Sequence, residues 1–395
     1  MPQTRPADVV RPSLPLRPKQ IGRLIGAHSG ALLAAPQPQS VAEERRRGRG
    51  ALTNTSGRFE PQAREDFDDG WGALEELQAF KTEITLERAK TIITRNHSPD
   101  IFFDRSINPY RGCEHGCTYC FARPTHAYMG LSPGLDFESR LFVKEGAAAL
   151  LERELAGPTY QPKTIAIGTN TDPYQPIERR YRVMRSVLDV LARTQHPVGI
   201  VTKSALVQRD IDLLAPMAEK GLAKVAISLT TLDRDLARSM EPRAASPGQR
   251  LATIAALAAA GIPVTVLVAP IIPAVNDAEI ETILTRAHAM GAREAGYVML
   301  RLPLEVEDVF GQWLLDRFPD KYRHVMALVR GMRGGKAYDS TWGKRMTGTG
   351  PYAWMVGRRF EIAAAKIGFG KTRAKLRTDL FAPPKHGAEQ LSLFE

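Results

Sequence analysis

Cys113-Glu114-His115-Gly116-Cys117-Thr118-Tyr119-Cys120 carries every cysteine of the 395-residue chain. A chain that gathers all its thiols at C-x3-C-x2-C spacing uses them as one ligand set, because thiolates are the ligands that hold iron–sulfur clusters. Three is the informative number: a four-iron cluster held by three thiolates leaves one iron free for another ligand. Zinc is the rival metal. Its structural sites are closed and four-coordinate, usually built from C-x2-4-C pairs separated by a longer stretch. His115 is available as a fourth ligand, but it sits between two cysteines on one tight loop and would strain the backbone to reach the same ion. An odd count within so short a stretch, with no leader-like apolar run, does not build an extracellular disulfide framework. Three unrelated buried thiols would not cluster this way.

Working outward, β-rich apolar runs alternate with amphipathic helical stretches. Residues 164–168, 198–202, 223–229, 264–269 and 296–300 read as buried strands, and 145–155, 181–194, 208–220, 247–260 and 278–290 as helices. A strand just before the cysteine loop brings the number of β/α units to six, which predicts an α/β fold with a parallel sheet. Active sites of parallel barrels are built at the C-terminal ends of strands. Thr169 to Tyr174, Lys203, Ser228 to Thr231, Pro270 to Asn276 and Arg301 fall at such ends.

The cysteine spacing with Tyr119 before the last cysteine resembles the signature of radical S-adenosylmethionine (radical SAM) enzymes. Ile107-Asn108-Pro109-Tyr110-Arg111-Gly112-Cys113, Thr171-Asp172-Pro173-Tyr174-Gln175-Pro176-Ile177-Glu178, Thr202-Lys203-Ser204, Arg209-Asp210-Ile211-Asp212-Leu213-Leu214 and Glu241-Pro242 narrow the resemblance to the spore photoproduct lyase branch, often described as DNA repair photolyases. The likeness runs from about Ile101 to Leu304. It implies a partial (β/α)6 TIM-like barrel and a [4Fe-4S] cluster on Cys113, Cys117 and Cys120. It also implies S-adenosylmethionine chelated at the free iron, and reductive cleavage to a 5'-deoxyadenosyl radical fed by a low-potential electron donor.

The same resemblance distributes roles. Lys203 is a candidate cation for the cofactor carboxylate, against the alternative of a solvated lysine at a loop start, and Ser228 resembles a ribose contact. Asn170 and Asp172, with Thr169, occupy the place where many relatives carry a Gly-Gly-Glu stretch for the cofactor amino group. That stretch is absent here, and an Asx turn before Pro173 explains the same residues. Tyr119 and Arg301 complete the candidate cofactor set. Tyr110 and Tyr174 are catalytic candidates whose spacing suits packing better than radical relay. Glu241 and Arg243 are expected to meet substrate or each other. Spore photoproduct lyase uses a further cysteine as hydrogen donor, and this chain has none to spare. Either a tyrosine serves or the reaction differs.

A second signal lies at the far end. Gln390-Leu391-Ser392-Leu393-Phe394 resembles the pentapeptide by which bacterial DNA polymerases and repair proteins bind the replication sliding clamp. It follows a Pro383-Pro384 break and a polar stretch that leave it extended. Two leucines and a phenylalanine are a short anchor for an apolar pocket; the alternative is a tail packed on its own domain. The formal charge is +11, and between Lys321 and Arg377 fourteen Lys or Arg face two acids. Arg330, Arg333, Lys336, Lys344 and Arg345, then Lys371, Arg373, Lys375 and Arg377, are interleaved with Tyr338, Trp342, Tyr352 and Trp354. Basic side chains neutralise phosphates and aromatic faces stack on unpaired bases, so a nucleic-acid surface is expected, DNA before RNA. A solvated helix face over core aromatics has the same composition.

The expected organisation is a disordered Arg/Pro-rich arm over 1–78, a barrel over 79–305, a basic, mainly helical extension over 306–380 and a flexible tail over 381–395. Within the arm, Arg45-Arg46-Arg47-Gly48-Arg49 reads as a weak nucleic-acid tether. Residues 81–95 read as one edge strand, and 309–331 and 352–367 as helices. No run of about eighteen apolar residues occurs, so no membrane span is expected and the expected location is cytoplasmic. The leading expectation is a lyase-like radical SAM enzyme acting on DNA. Its alternatives are one acting on tRNA or protein, and a clamp-bound nucleic-acid-binding protein with a structural metal.

Overall fold

Branched apolar residues at every second position set one face of each central strand: Val198 and Ile200, Val225 and Ile227, Val264, Val266 and Val268 are all buried. That period suits a pleated strand backed by helices. In the computed structural model, which describes residues 40–43, 45–46, 48–61, 79–370 and 374–384, these runs become strands of one sheet. The strands are β1 (Glu83–Glu87), β2 (Ile93–Arg95), β3 (Arg105–Ile107), β4 (Tyr110–Arg111), β5 (Arg140–Lys144), β6 (Ile165–Ile167), β7 (Val198–Thr202), β8 (Ala223–Ser228), β9 (Val264–Ile271) and β10 (Glu294–Met299). The helices are α1 (Asp136–Ser139), α2 (Ala147–Leu155), α3 (Glu178–Tyr181), α4 (Val183–Arg193), α5 (Ile211–Glu219), α6 (Arg234–Met240), α7 (Pro247–Ala259), α8 (Ile280–Ala289), α9 (Val306–Arg317), α10 (Tyr322–Gly331) and α11 (Gly350–Ile367).

Strands β3, β6, β7, β8, β9 and β10 pair in parallel in that order, and β2 adds an antiparallel edge beside β3. The expected six-strand partial barrel is therefore present. Helices cover its outer face through apolar stripes at helical spacing: Met184, Val187, Leu188 and Leu191 on α4, and Ile280, Ile283, Leu284 and Ala287 on α8. Each of the Met, Val, Leu and Ile side chains among these contributes roughly 1.5–3 kcal/mol when fully buried. Ser246 caps α7 by accepting from Gln249 N, with Pro247 as the first helical residue. The inward positions are different. They include Ser106, Gly168, Ser228 and Ala269, small residues where a closed barrel stacks bulky branched ones, and they leave space inside the sheet.

Three expectations are corrected. Residues 81–95 form two strands rather than one edge strand: β1 lies parallel to β5 in a separate three-stranded sheet with β4, and only β2 edges the barrel. The predicted helix over 309–331 is two helices, α9 and α10, broken at Phe318 and Pro319. Within the predicted arm, residues 49–53 are packed, not solvated. Gly50 N and Ala51 N donate to the buried Glu138 carboxylate at 2.7 and 2.8 Å, and Arg49 is buried, so it is not free to tether nucleic acid.

The basic extension also divides. Arg333 is buried, donating to the carbonyls of Lys344, Arg345 and Leu300 at 2.9 Å each. It is an internal pin and not a phosphate contact. Arg330 pairs with Glu307 and Arg345 with Asp100. Residues 374–384 run under the N-terminal ends of the strands: Ala374 N donates to Glu294, Arg377 N to Gly221 O and Ala382 N to Thr194 O. Lys375 and Arg377 thus sit at the opposite end of the barrel from Lys344 and Trp342, whose loop reaches Met299 at the end of β10. Lys371, Arg373 and the pentapeptide Gln390 to Phe394 lie outside the described residues. No helix among the described residues is long and apolar enough to cross a membrane.

Candidate active site

The cysteine loop leaves β4 through Gly112, whose φ of 73° is left-handed; a Cβ there would meet the Leu141 side chain at 2.6 Å and Phe137 O at 2.9 Å. The loop is then held by its own backbone. Cys113 N donates to Phe137 O, Glu114 N to the Gln175 side chain at 2.9 Å, and Thr118 N to Met240 O at 3.0 Å. From below, the buried Arg123 donates to Cys117 O at 2.9 Å and Gly116 O at 3.2 Å while pairing with Glu138. Buried carbonyls and a buried carboxylate thereby find their donors in one guanidinium.

These contacts turn the three cysteines toward a cavity of about 530 Å³ at the C-terminal ends of the parallel strands. Cys113, Cys117 and Cys120 line it with Tyr119, Asn170, Asp172, Lys203, Ser228 and Arg301, the whole candidate cofactor set. Asp172 joins the wall together. It accepts from Thr202 Oγ1 at 2.7 Å and Lys203 N at 2.8 Å, and His115 Nδ1 lies 3.4 Å away. Burial opposes both charges, but the pairing, joined at His115 by the Cys113 thiolate, wins, lifting His115 to about 10 and holding Asp172 at about 2. His115 faces Asp172 from the cysteine loop. Lys203 Nζ lies 2.9 Å from Ser228 Oγ and 3.9 Å from Glu241, and burial lowers its pKa.

The two catalytic candidates are elsewhere. Tyr110 is buried and donates to Glu178, and Tyr174 is buried beside Asp210 and Arg209; neither lines the cavity. Glu241 and Arg243 do not pair with each other. Glu241 is buried and accepts from Tyr119, Thr230 and Arg250, while Arg243 pairs with Glu114 across the back of the cysteine loop. Sequence reasoning missed Phe121, adjacent to Cys120, and the walls contributed by Ser98, Phe103 and Met346, and placed Arg345 on the basic surface rather than on the cavity. Adjacency could have flagged Phe121. Nothing local marks the others, which arrive from loops distant in the chain.

The donor set fits an iron–sulfur cluster: three thiols, two of them buried and one partly buried, open on a single cavity. Among the described residues no three His, Cys, Asp or Glu side chains meet where one ion could be held.

A family model described as the radical SAM superfamily matches residues 107–287. An uncharacterized protein of Mycobacterium tuberculosis is 40% identical over 230 residues, 58% of this chain and 68% of that protein. An uncharacterized protein of Methanocaldococcus jannaschii is 26% identical over 246 residues, 62% of this chain and 87% of that protein. Among solved structures, spore photoproduct lyase complexed with dinucleoside spore photoproduct aligns with a TM-score of 0.51 at 15% identity, over 72% of this chain and 79% of that one. That is a likeness of fold.

Proposed function

The chain belongs to the radical SAM superfamily, and from that premise we propose that Cys113, Cys117 and Cys120 hold a [4Fe-4S] cluster beside S-adenosylmethionine and that the enzyme acts on DNA, repairing or modifying a base. The observation that carries the cofactor reading is the meeting of three cysteines and a polar strand-end wall on one cavity. Bound together, the two groups would supply reductive cleavage of a carbon–sulfur bond and a carbon radical that takes hydrogen from substrate. The chain's own residues position and exclude. Lys203 offers its ammonium to the cofactor carboxylate, Asp172 and Asn170 offer acceptors to its amino group, Ser228 faces its ribose, and Tyr119 is fixed beside the cluster by Glu241. Reducing a sulfonium calls for a potential toward the low end of the span of roughly −700 to +450 mV, and so for a low-potential electron donor.

The DNA reading rests on the fold likeness, on the aromatic and basic loop around Trp342 and Lys344, and on the clamp-like tail Gln390 to Phe394, which would deliver the protein to replicating DNA in the cytoplasm. A base must leave the stack before a radical can reach its carbons. The chain has only three cysteines, so a hydrogen donor supplied by this chain is not a cysteine outside the ligand set. Anaerobic reconstitution should yield about four iron atoms per chain and cleavage of S-adenosylmethionine on reduction. With deuterated oligonucleotides, label should appear in 5'-deoxyadenosine. Normal iron loading after all three cysteines become alanine, or a single zinc per chain with no cofactor cleavage, would discard the reading.

A further inference from the structure

We infer that Arg301 and Phe121 form an anion subsite within the cavity that takes a phosphate of the nucleic-acid substrate, an inference that rests on the nucleic-acid reading above. Arg301 stands at the end of β10 with its guanidinium carbon 4.3 Å from the Phe121 ring centroid, and both residues line the cavity. Stacking on a ring fixes the plane of the guanidinium and leaves its N–H edges free in that plane, the geometry of a two-pronged grip on phosphate or carboxylate. Among the described residues Arg301 has no ion-pair partner, and its hydrogen-bond contact is the Met346 thioether at 3.3 Å. Burial lowers its pKa, and nearby Arg345 adds to that, while Tyr338, Cys120 and Asp100 work in the opposite direction without restoring it. A largely buried cation without a direct ion-pair partner is costly, and a ligand that brings one relieves the cost.

The other cations around the cavity are accounted for. Lys203, which contacts Ser228 and Glu241, is assigned to the cofactor carboxylate, and Arg345 pairs with Asp100 at 2.6 Å. Lys203 and Arg301 also stand on different parts of the wall, because β8 and β9 separate β7 from β10 in the sheet. One cofactor carboxylate met at Lys203 leaves Arg301 for the other reactant.

Phosphate is favoured by what stands beside it. The sheet does not close: β2 and β10 are its edges. Met346 O accepts from Met299 N at the β10 edge, and Gly343 N and Arg345 hold Asp100, which follows β2, so the 343–346 loop spans the gap. That loop presents Trp342, 61% exposed, and the exposed Lys344. A single strand approaching from this side meets an indole for stacking and an ammonium for its backbone before it reaches Arg301. A peptide carboxylate would use the guanidinium alone.

The test is fluorescence anisotropy of labelled oligothymidylate with the anaerobically reconstituted full chain, comparing wild type, Arg301→Gln and Arg301→Lys. Arg301→Gln should bind at least about tenfold more weakly, with a log K against log salt slope shallower by about 0.7, one single-strand phosphate. Arg301→Lys, which keeps the charge but loses the fork, should fall between. Equal affinity and slope for Arg301→Gln would overturn the inference. So would calorimetry in which that variant loses S-adenosylmethionine binding while oligonucleotide binding is unchanged, because the anion is then the cofactor's. If wild type binds no oligonucleotide, the nucleic-acid reading fails by itself. Inorganic pyrophosphate then decides the subsite: a raised Tm in wild type but not in Arg301→Gln keeps an anion site there, and no difference removes it. Should Arg301→Gln fail to fold, Phe121→Leu, which unlocks the guanidinium plane, is read in the same assays with a weakening of several-fold expected.

Discussion

Asp172 ties three parts of the molecule through one carboxylate: Tyr174 N and Thr202 Oγ1 on one oxygen, Lys203 N on the other, and His115 of the cysteine loop beside it. Asp172→Asn keeps the shape but replaces an acceptor with a donor facing a backbone N–H, and should cost about 1–3 kcal/mol. It should also raise the Kd for S-adenosylmethionine at least about tenfold. Urea unfolding and calorimetry check the two outcomes, and an unchanged Kd in a folded variant would remove Asp172 from the cofactor wall. Glu241 is the contrasting case. It is fully enclosed with Arg250, Thr230 and Tyr119, so Glu241→Ala leaves a buried guanidinium unpaired and should destabilise by about 3–5 kcal/mol in denaturant titrations. At this scale the sequence was informative wherever a residue follows a strand, because the strand end itself puts Asn170, Asp172, Lys203, Ser228 and Arg301 on the cavity. It was silent on the His115–Asp172 and Glu241–Arg250 pairs. Those depend on how distant loops fold back, and no local spacing records that. Tyr110 and Tyr174 show the same limit: motif membership does not say which way a side chain points.

Elements with a hydrophobic period were legible within a few residues of their ends, and β7 at both ends, because alternation reports a covered face directly. The 49–53 segment was not. Its Gly- and Arg-rich composition resembles a solvated arm, yet it docks by backbone amides on Glu138, an interaction with no apolar signature. The docking is close. A Cβ on Gly50 would fall 1.8 Å from Gly116 O, inside the cysteine loop. Gly50→Ala must therefore push the segment off the loop or shift the loop itself, with an expected cost of about 1–3 kcal/mol for the displaced donors. Iron content after reconstitution should fall with it, because Cys113 and Cys117 flank the displaced carbonyl. A variant with full iron content and unchanged unfolding would show the segment to be a bystander.

For the molecule as a whole, net charge gave the sign of the surface but not its arrangement. The basic extension splits between the cavity end, where Lys344 and Trp342 stand, and the opposite end, where 374–384 crosses the strand bases. This lower strap is fastened on a histidine. His196 lies 2.7 Å from Tyr160 Oη and 3.1 Å from Pro197 O, with the Phe381 ring edge-on at 5.3 Å. Burial, with Arg105 nearby, lowers its pKa from 6.5 to about 4, and burial does the same for His126 under the cysteine loop. Both therefore fold neutral. Above pH 6.5 the folded and unfolded forms carry the same protons at these sites and the contribution is complete. Between 6.5 and 4 the unfolded chain binds protons that the folded one refuses, so stability is lost as pH falls, on the order of 3 kcal/mol per histidine at the limit. Urea midpoints at pH 7.5 and 5.0 should drop accordingly. In His196→Gln the strap is weaker at pH 7.5, but the drop between the two pH values should shrink, since one of the two titrating rings is gone. An equal drop in variant and wild type would mean that His196 is protonated in the fold without cost, and that Phe381 and Tyr160 hold the strap without it.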